Sequence, residues 1–329
     1  MNIRVHMIIP ALILVVLMVF PMVVKAQTTV PRTQEAFVSQ LRAKAQSQGI
    51  SERLLDQVFH GFTVDHKAIA SDKSQAEDRL RFTKYRKNIV SDYRVKRGRA
   101  LYAKHRMLLD KIAKEYGVPA PYIVALWGTE TSFGAVTGNH NIPRALATLA
   151  YEGRREELFT NEFILALKMI QEGHVSYDQM KGSWAGAMGQ CQFMPSSFFN
   201  YAVDYDGDGR KNIWHSLPDV FASIANYLKQ SGWIADQRWG RQILLPTQFD
   251  VSQEDINAFR PLSFWSSQGV RFAHGGALPQ LPMQAAFIFP GSPEEGAYLI
   301  YPNFHVLLKW NFSRLFATAV GLLADEIAR

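Results

Sequence analysis

The chain has 329 residues, of which 47% are hydrophobic and 20% are charged, and these values are ordinary for a globular protein. This length allows two or three subdomains around a sizeable core, and the composition excludes a low-complexity chain. The formal net charge of +7 favours an anionic partner, while the single cysteine, Cys191, excludes a disulfide within the chain.

The first 26 residues have the pattern of a secretory signal peptide. Arg4 precedes an apolar run over 7–24, and small residues end the segment at Ala26. The run is long for a signal peptide, so an uncleaved N-terminal membrane anchor is the competing interpretation. No cysteine near Ala26 could carry a lipid, and cleavage there would remove Arg4 and Lys25 and leave a charge of +5. We expect an exported protein that associates with a membrane only through an uncleaved N-terminus.

A basic cluster at 94–99 is the feature that could best suit nucleic acid. Such a run is more often a solvated helix face, and an exported protein is kept apart from nucleic acid. We therefore expect no nucleic-acid partner and favour an acidic cell-wall polymer or an anionic lipid.

Helical periodicity dominates the first two thirds of the chain. Apolar residues recur at three- and four-residue steps from Thr33 to about Tyr116, and a break at 117–119 precedes further helical signals. Between 240 and 301, prolines, glycines and short apolar runs predict small strands and turns. The predicted regions are a linker at 27–32, an N-terminal helical region at 33–110, a helical core at 111–239, a small β-containing region at 240–305 and a C-terminal helix at 306–329.

One carboxylate lies in an apolar helical run. Ile123, Leu126 and Trp127 precede Glu130 by seven, four and three residues, which are same-face positions of a helix. On an apolar face, desolvation raises the pKa of a carboxyl group, and a protonated carboxyl can give its proton to a leaving group. Glu130 is therefore a candidate general acid. The alternative is a buried glutamate that is satisfied by a structural partner.

A glycine-rich segment over 182–197 has the composition of a sugar-binding surface. Glycines let the backbone approach a ligand closely, Ser183, Gln190 and Gln192 can bond hydroxyl and amide groups, and Trp184 offers an apolar ring face. A tight contact between packed helices is the alternative. The segment has neither a phosphate-loop pattern nor a dinucleotide fingerprint.

The segment 204–212 has the pattern of the first half of an EF-hand loop, with alternating aspartates and a glycine at the sixth position. His215 takes the twelfth position, where glutamate is usual, and Asp219 could supply the missing carboxylate. The alternative is an aspartate-rich turn whose side chains cap backbone amides. Hard oxygen donors favour a structural Ca²⁺, and no organic cofactor is expected. The predicted metal ligands are Asp204, Asp206, Asp208, Arg210 (through its carbonyl) and Asp219.

Together these segments resemble the lytic murein transglycosylase B family. The resemblance runs from about residue 83 to 233 and resumes at 309–321. The motifs that carry it are Glu130-Thr131 followed by Gly134, Ala145-Leu146-Ala147-Thr148-Leu149, Arg154-Arg155, and Gly186-Ala187-Met188-Gly189 leading into Gln192-Phe193-Met194-Pro195-Ser196-Ser197.

The resemblance implies a mainly α fold: a lysozyme-like helical core with an extra N-terminal helical domain and a small β-containing insertion. It implies peptidoglycan glycan strands as substrate, the periplasm of a Gram-negative bacterium as location, and cell-wall synthesis or division proteins as possible partners. The lengthened metal loop of the family supports Asp219 as a ligand.

By position, Glu130 matches the single catalytic glutamate of the family. Trp310 stands where some members have tyrosine, and Cys191 replaces a glycine and is expected to be inert packing. The residues that match positions lining the glycan groove are Tyr85, Arg154, Arg155, Ser183, Gln192, Tyr227, Trp310 and Asn311.

The implied reaction is non-hydrolytic cleavage of the β-1,4 bond between N-acetylmuramic acid and N-acetylglucosamine, which leaves a 1,6-anhydromuramic acid end. A single glutamate would act first as acid and then as base, whereas most glycosidases use two carboxylates. Glu152, Glu156, Glu157 and Asp178 are expected to be solvated helix charges. A lysozyme-type hydrolase and a non-catalytic cell-wall-binding module are the alternatives.

Overall fold

The structure is a computed structural model and describes residues 33–73 and 81–329. The predicted signal peptide at 1–26 and linker at 27–32 lie outside these residues. The described chain is mainly helical with small sheets, as predicted. Six helices precede the core: α1 (Gln34–Ser47), α2 (Glu52–Phe59), α3 (His66–Lys73), α4 (Phe82–Ile89), α5 (Asp92–Lys104) and α6 (Arg106–Tyr116).

The middle of the chain contains five helices and a two-stranded antiparallel sheet. The predicted boundary at 110/111 falls inside α6, because the periodicity of α6 continues to the left-handed Gly117 that ends it. The elements are α7 (Ala120–Thr131), β1 (His140–Asn141), α8 (Ile142–Glu152), α9 (Glu156–Gln171), β2 (Lys181–Gly182), α10 (Pro195–Tyr201) and α11 (Leu217–Gln230).

Helix α7 is the centre of the helical core. Pro119 caps its start, and its residues from Tyr122 to Gly128 are all buried. A helix that is apolar on every side must be enclosed by other elements. Helices α5, α6, α11 and a C-terminal helix, α14, contact α7. The sequence pattern predicted one apolar stripe, but burial extends around the whole helix.

The region after residue 239 forms a five-stranded antiparallel sheet with strand order β4-β6-β7-β3-β5 and a second hydrophobic cluster around Trp265 and Phe287. Its elements are β3 (Gly240–Leu244), β4 (Asp255–Pro261), α12 (Leu262–Ser267), β5 (Arg271–Phe272), β6 (Gln284–Ile288) and β7 (Ala297–Ile300).

The C-terminal segment contains two helices where the sequence predicted one over 306–329. Helices α13 (Pro302–Trp310) and α14 (Arg314–Ile327) are bent by 113° relative to each other. Asn311 has an extended backbone, and the Ser313 hydroxyl caps α14 by accepting from the Phe316 amide. The predicted boundary at 305/306 therefore falls inside α13, because Pro302 opens that helix. Within the described ranges no single helix is long and apolar enough to cross a membrane. Among these residues, only the bent α13–α14 pair, taken together, has the length and apolar composition of a membrane span.

The sheet region is joined to α4 by a carboxylate. Arg81, the N-cap residue of α4, makes no side-chain cap, and Glu295 supplies one from the other region. Its Oε2 accepts from the Phe82 amide at 3.1 Å and its Oε1 accepts from the Thr83 amide at 2.7 Å. These backbone donors, the Thr83 amide first, lower the pKa of Glu295 to about 2. The cap holds the helix that carries Tyr85.

We expect Glu295→Gln to lower the Tm at pH 7, because the amide removes the charge and one acceptor from the cap. A carboxyl whose pKa is lowered on folding stabilises the fold above its unfolded-state pKa, about 4.3, and this stability disappears as the pH falls toward the folded value of about 2. The Tm difference between the variant and the parent should therefore shrink from pH 7 to pH 2.5. Thermal unfolding followed by circular dichroism measures it, with the exposed Glu157→Gln as control. A Tm difference that does not change with pH contradicts the cap.

Candidate active site

Glu130 lies in the last turn of α7, where the helix reaches the surface. The side chain is partly exposed, although the helix is buried from Tyr122 to Gly128. Ser132 and Phe133 have left-handed backbones, with φ of 51° and 61°, and they end the helix after Thr131, one residue beyond Glu130. The core thus encloses the body of α7 and leaves this carboxylate accessible at its end.

Trp310 contacts Glu130 directly. Its indole Nε1 donates a hydrogen bond to Glu130 Oε1 at 2.7 Å. An indole N–H can only donate, so Oε1 must act as the acceptor in this bond. The Trp310 ring packs against Tyr227 and Phe193, with centroids 4.6 and 5.4 Å apart. Aromatic packing therefore fixes the donor that orients the carboxylate.

Tyr227 packs against the Trp310 ring. The sequence placed Tyr227 in the groove, but its side chain is buried and its hydroxyl donates to the Lys309 carbonyl at 2.6 Å. Burial raises the pKa of Tyr227 to about 12, so the hydroxyl stays protonated and remains a donor. Asn311 follows Trp310 at the end of α13 and is partly exposed beside it.

The glycine-rich segment is a compact turn held by its own side chains. Ser183 Oγ accepts from the Ala187 amide at 3.0 Å. Gln192 has a positive φ of 50°, and its Nε2 donates to the carbonyls of Thr137 and Gly189 at 3.1 and 3.0 Å. Both side chains stay partly exposed. They are thus fixed in orientation while remaining accessible to a ligand.

Gln190 has a structural role that the sequence did not reveal. Its Oε1 accepts from Trp127 Nε1 at 2.7 Å, and its Nε2 donates to the Trp214 carbonyl at 2.8 Å. Gly134 must lack a side chain here, because a Cβ would lie 2.3 Å from Gln190 Oε1. Gln190 therefore joins α7 to the glycine-rich segment and to the residues before α11. Its amide groups are engaged within the protein, a role that differs from the sugar contact expected from the sequence.

Cys191 is buried and its Sγ donates to the Val220 carbonyl at 3.6 Å. Burial, followed by the negative charges of Glu130 and Asp219, raises the pKa of this thiol well above its ordinary value. A neutral, enclosed thiol fits the expected packing role.

Arg154 and Arg155 belong to a second cluster. Both guanidinium groups bind the same carboxylate, Asp72 of α3, and Arg154 also donates to Glu152 at 2.8 Å. The sequence gave no sign of Asp72, because α3 is far from the arginines along the chain. Tyr85, the remaining predicted groove residue, is partly buried on α4 and packs against the main core.

The sequence singled out four other carboxyl residues, which were expected to be solvated helix charges. Glu157 and Asp178 are exposed, as expected. Glu152 is not a solvated charge, because its side chain is 8% exposed and bound to Arg154. Glu156 lines a hollow of 380 Å³ between α1 and α9.

The aspartate loop brings three of its predicted ligands together. Asp204, Asp206 and Asp219 each place a carboxylate oxygen within 4.8 Å of the others. Asp219 is fully buried and accepts from the Tyr205 and Asn212 amides at 2.8 and 2.7 Å. Burial raises the pKa of Asp219, and these backbone donors oppose the rise.

Asp208 does not share this cluster. Its Oδ1 accepts from the Arg210 amide at 2.8 Å, and its Oδ2 pairs with the Arg210 guanidinium at 3.3 Å. The Asp208 side chain is thus engaged by its neighbour, a contact that the alternating pattern could not indicate. His215 is exposed, and its backbone amide donates a hydrogen bond to Asn212 Oδ1 at 3.0 Å.

Comparison with known proteins decides the family. The sequence of residues 33–325 matches the protein-family model of the transglycosylase SLT domain. The chain belongs to this family. Membrane-bound lytic murein transglycosylase B of Escherichia coli K12 is 34% identical over 252 residues, which are 74% of this chain and 67% of that protein.

Two solved structures of similar proteins support the assignment. The crystal structure of SltB3 from Pseudomonas aeruginosa in complex with NAG-NAM-pentapeptide is 42% identical, with a TM-score of 0.86 over 89% of this chain and 79% of that one. Escherichia coli Slt35 in complex with calcium is 28% identical, with a TM-score of 0.77 over 89% and 92% of the two chains. The resemblance to lytic transglycosylases and the lysozyme-like fold class are therefore confirmed.

Proposed function

We propose that this protein is a lytic transglycosylase that cleaves the N-acetylmuramic acid to N-acetylglucosamine bond of peptidoglycan without water. The observation that carries the proposal is Glu130, a carboxylate at the open end of a buried helix, oriented by Trp310. The glycine-rich segment, which carries Ser183 and Gln192, is joined to the same helix by the hydrogen bond between Trp127 and Gln190. Membership of the transglycosylase SLT domain family supports the assignment.

The hydrogen bond from Trp310 gives the two carboxyl oxygens of Glu130 different roles. Because Oε1 accepts from the indole, we assign the transferable proton of Glu130 to Oε2 in this mechanism. Oε2 can then protonate the glycosidic oxygen as its bond to the muramic acid C1 breaks. The N-acetyl carbonyl oxygen of the substrate stabilises the positive charge that develops at C1.

The second half of the reaction returns the proton. Glu130, now a carboxylate, removes the proton from the C6 hydroxyl of muramic acid, and O6 forms a bond to C1. The product is a 1,6-anhydro ring, and Glu130 is protonated again for the next cycle. Substrate-assisted chemistry of this kind needs no second carboxylate.

Glu130→Gln should reduce turnover by roughly 10²–10⁴-fold, the usual contribution of a positioned general acid. The amide keeps the shape and the bond from Trp310, so the Tm should stay near that of the parent. Digestion of purified peptidoglycan followed by mass spectrometry measures the product. Exposed Asp178→Asn is the control. Near-parental turnover of Glu130→Gln would remove Glu130 from the reaction, and reducing muramic acid ends, one water heavier, would favour the hydrolase.

Trp310→Phe should lower kcat by roughly ten- to a hundredfold, because a hydrogen bond to a charged group contributes about 1.5–3 kcal/mol and each ~1.36 kcal/mol is a factor of ten. Phenylalanine keeps an aromatic ring against Tyr227 and Phe193 but removes the donor. Trp310→Tyr restores a donor and should recover part of kcat. Steady-state kinetics on glycan strands separates the two variants, and equal kcat for Trp310→Phe and the parent would contradict the orienting role.

We also propose that the aspartate loop binds a structural Ca²⁺. Asp204, Asp206 and Asp219 would hold the ion through oxygen atoms, as hard cations require, and the clustering of three carboxylates supports this. The ion would neutralise their mutual repulsion and tie the residues after α10 to the start of α11. The reaction itself uses no metal in this proposal.

Calcium should raise the Tm by several degrees, since a ligand at 100 times its Kd contributes about 2.7 kcal/mol. Asp206→Asn should abolish the rise, because its carboxylate belongs to the cluster. Asp208→Asn is a matched control that should keep the rise, because Asp208 is bound to Arg210. Differential scanning fluorimetry with calcium and with a chelator tests all three proteins. If calcium leaves the Tm of the parent unchanged, the loop is instead an aspartate-rich turn whose side chains cap backbone amides.

The location is proposed on sequence grounds. The signal-peptide pattern at 1–26 favours export to the periplasm, and an uncleaved N-terminal membrane anchor is the alternative. The division into an N-terminal helical region, a catalytic core and a small β-containing region is part of the same proposal.

A further inference from the structure

Asp72 is a buried carboxylate that the reaction proposed above does not use. It lies in the last turn of α3, and its side chain is only 2% exposed. The helix dipole disfavours an acid near a helix C-terminus, and burial adds a desolvation penalty. A buried charge of this kind persists in folded proteins when it is paired, so its partners indicate what it does.

The partners are the two predicted groove arginines. Arg154 Nη2 donates to Asp72 Oδ2, and Arg155 Nη2 donates to Asp72 Oδ1. One carboxylate therefore holds two adjacent guanidinium groups, one on each oxygen. Because the arginines lie in the short turn between α8 and α9, this contact fixes the turn against α3.

Further contacts set the plane of each guanidinium. Arg154 Nε donates to Glu152 Oε1 at 2.8 Å, and the Arg155 guanidinium lies 4.8 Å from the centroid of the Phe159 ring. The arginine side chains are nevertheless 48% and 45% exposed. A guanidinium has five N–H donors, so both groups retain donors beyond those that bind the acids.

The charges of the cluster cancel. Two carboxylates, Asp72 and Glu152, face two guanidinium groups, so bulk attraction for an anion is weak. What remains is a pair of oriented, charge-assisted donors, which recognise oxygen acceptors by geometry.

We propose that Asp72 is a positioning residue that holds Arg154 and Arg155 in the arrangement that binds the glycan strand. The outward N–H groups of the two arginines bind the acetyl and lactyl carbonyl oxygens of the muramic acid residue. This inference rests on the proposed function for the identity of the ligand. Asp72 acts through the arginines and does not touch the substrate.

Binding is measured separately from cleavage in the Glu130→Gln background. Isothermal titration with soluble glycan strands carrying stem peptides should show that Asp72→Asn raises the Kd about tenfold, the range expected when charge-assisted hydrogen bonds are lost. In the active protein the same change should raise KM by a similar factor with little effect on kcat. Asp325→Asn is the matched control, because it removes another carboxylate–arginine pair, with Arg238. It should leave the Kd unchanged.

A double-mutant cycle separates positioning from general stability. In protein with Arg154→Ala and Arg155→Ala, Asp72→Asn should not raise the Kd further, because its effect passes through the arginines. It should raise the Tm there, because the unpaired buried carboxylate is removed. If Asp72→Asn fails to fold, Asp72→Glu, which keeps the charge but shifts it by a methylene, should weaken binding instead.

Parental affinity in a folded Asp72 variant would overturn the proposal, as would a further loss of affinity in protein that lacks both arginines. Failure of the proposed function has a different signature. In that case the parent would release no anhydromuramic products, whatever the Asp72 variants do to the affinity for glycan strands.

Discussion

The complete enclosure of α7 is the constraint on which the rest of the site depends. A helix that is apolar on every side must be surrounded, and α5, α6, α11 and α14 surround it. Polar groups along such a helix are excluded except at its ends. Glu130 occupies one end, where the left-handed Ser132 and Phe133 turn the chain away and leave the carboxylate partly exposed. Burial of the helix therefore sets both the rigidity and the accessibility of the proposed acid.

Around this end, most of the polar side chains bond to the protein itself. Gln190 links Trp127 to the Trp214 carbonyl, and Gln192 holds two carbonyls of the surrounding turns. Such a network removes rotamer freedom before a ligand arrives, which lowers the entropic cost of binding. Trp310 is held in a similar way, because the neighbouring Tyr227 and Phe193 rings fix the indole that orients Glu130. Gln190, Gln192 and Trp310, which the sequence alone suggested as sugar contacts, thus also hold the site in place before a ligand binds.

The two arginines and the aspartate loop repeat this arrangement with charges. Asp72 joins α3 to the α8–α9 turn, and Asp219 accepts amides from the opposite ends of its loop. In each case a buried carboxylate holds a neighbouring segment, which is distant in sequence for Asp72 and close in sequence for Asp219. Glu295 does the same for α4 from the sheet region. Single acids thus fix the relative placement of elements whose apolar contacts leave their orientation less defined.

The sequence alone determined the helical character, the β-containing segment and the family, because each of these depends on local periodicity or on a contiguous motif. It predicted Glu130 as a desolvated carboxylate on an apolar helix face, whereas the structure leaves this side chain partly exposed at the end of α7. It also placed Asp204, Asp206 and Asp219 in one set of metal ligands, and these three do cluster, whereas Asp208, which was predicted with them, is bound to Arg210 instead. It missed the break at Asn311, where an extended residue and the Ser313 cap separate two helices that share one apolar pattern. Only the tertiary structure decided that Trp310 donates to Glu130, that Gln190 is a connector, and that Asp72 binds both arginines. These contacts join residues tens to well over a hundred positions apart, and no spacing along the chain encodes which side chains meet once the helices have packed.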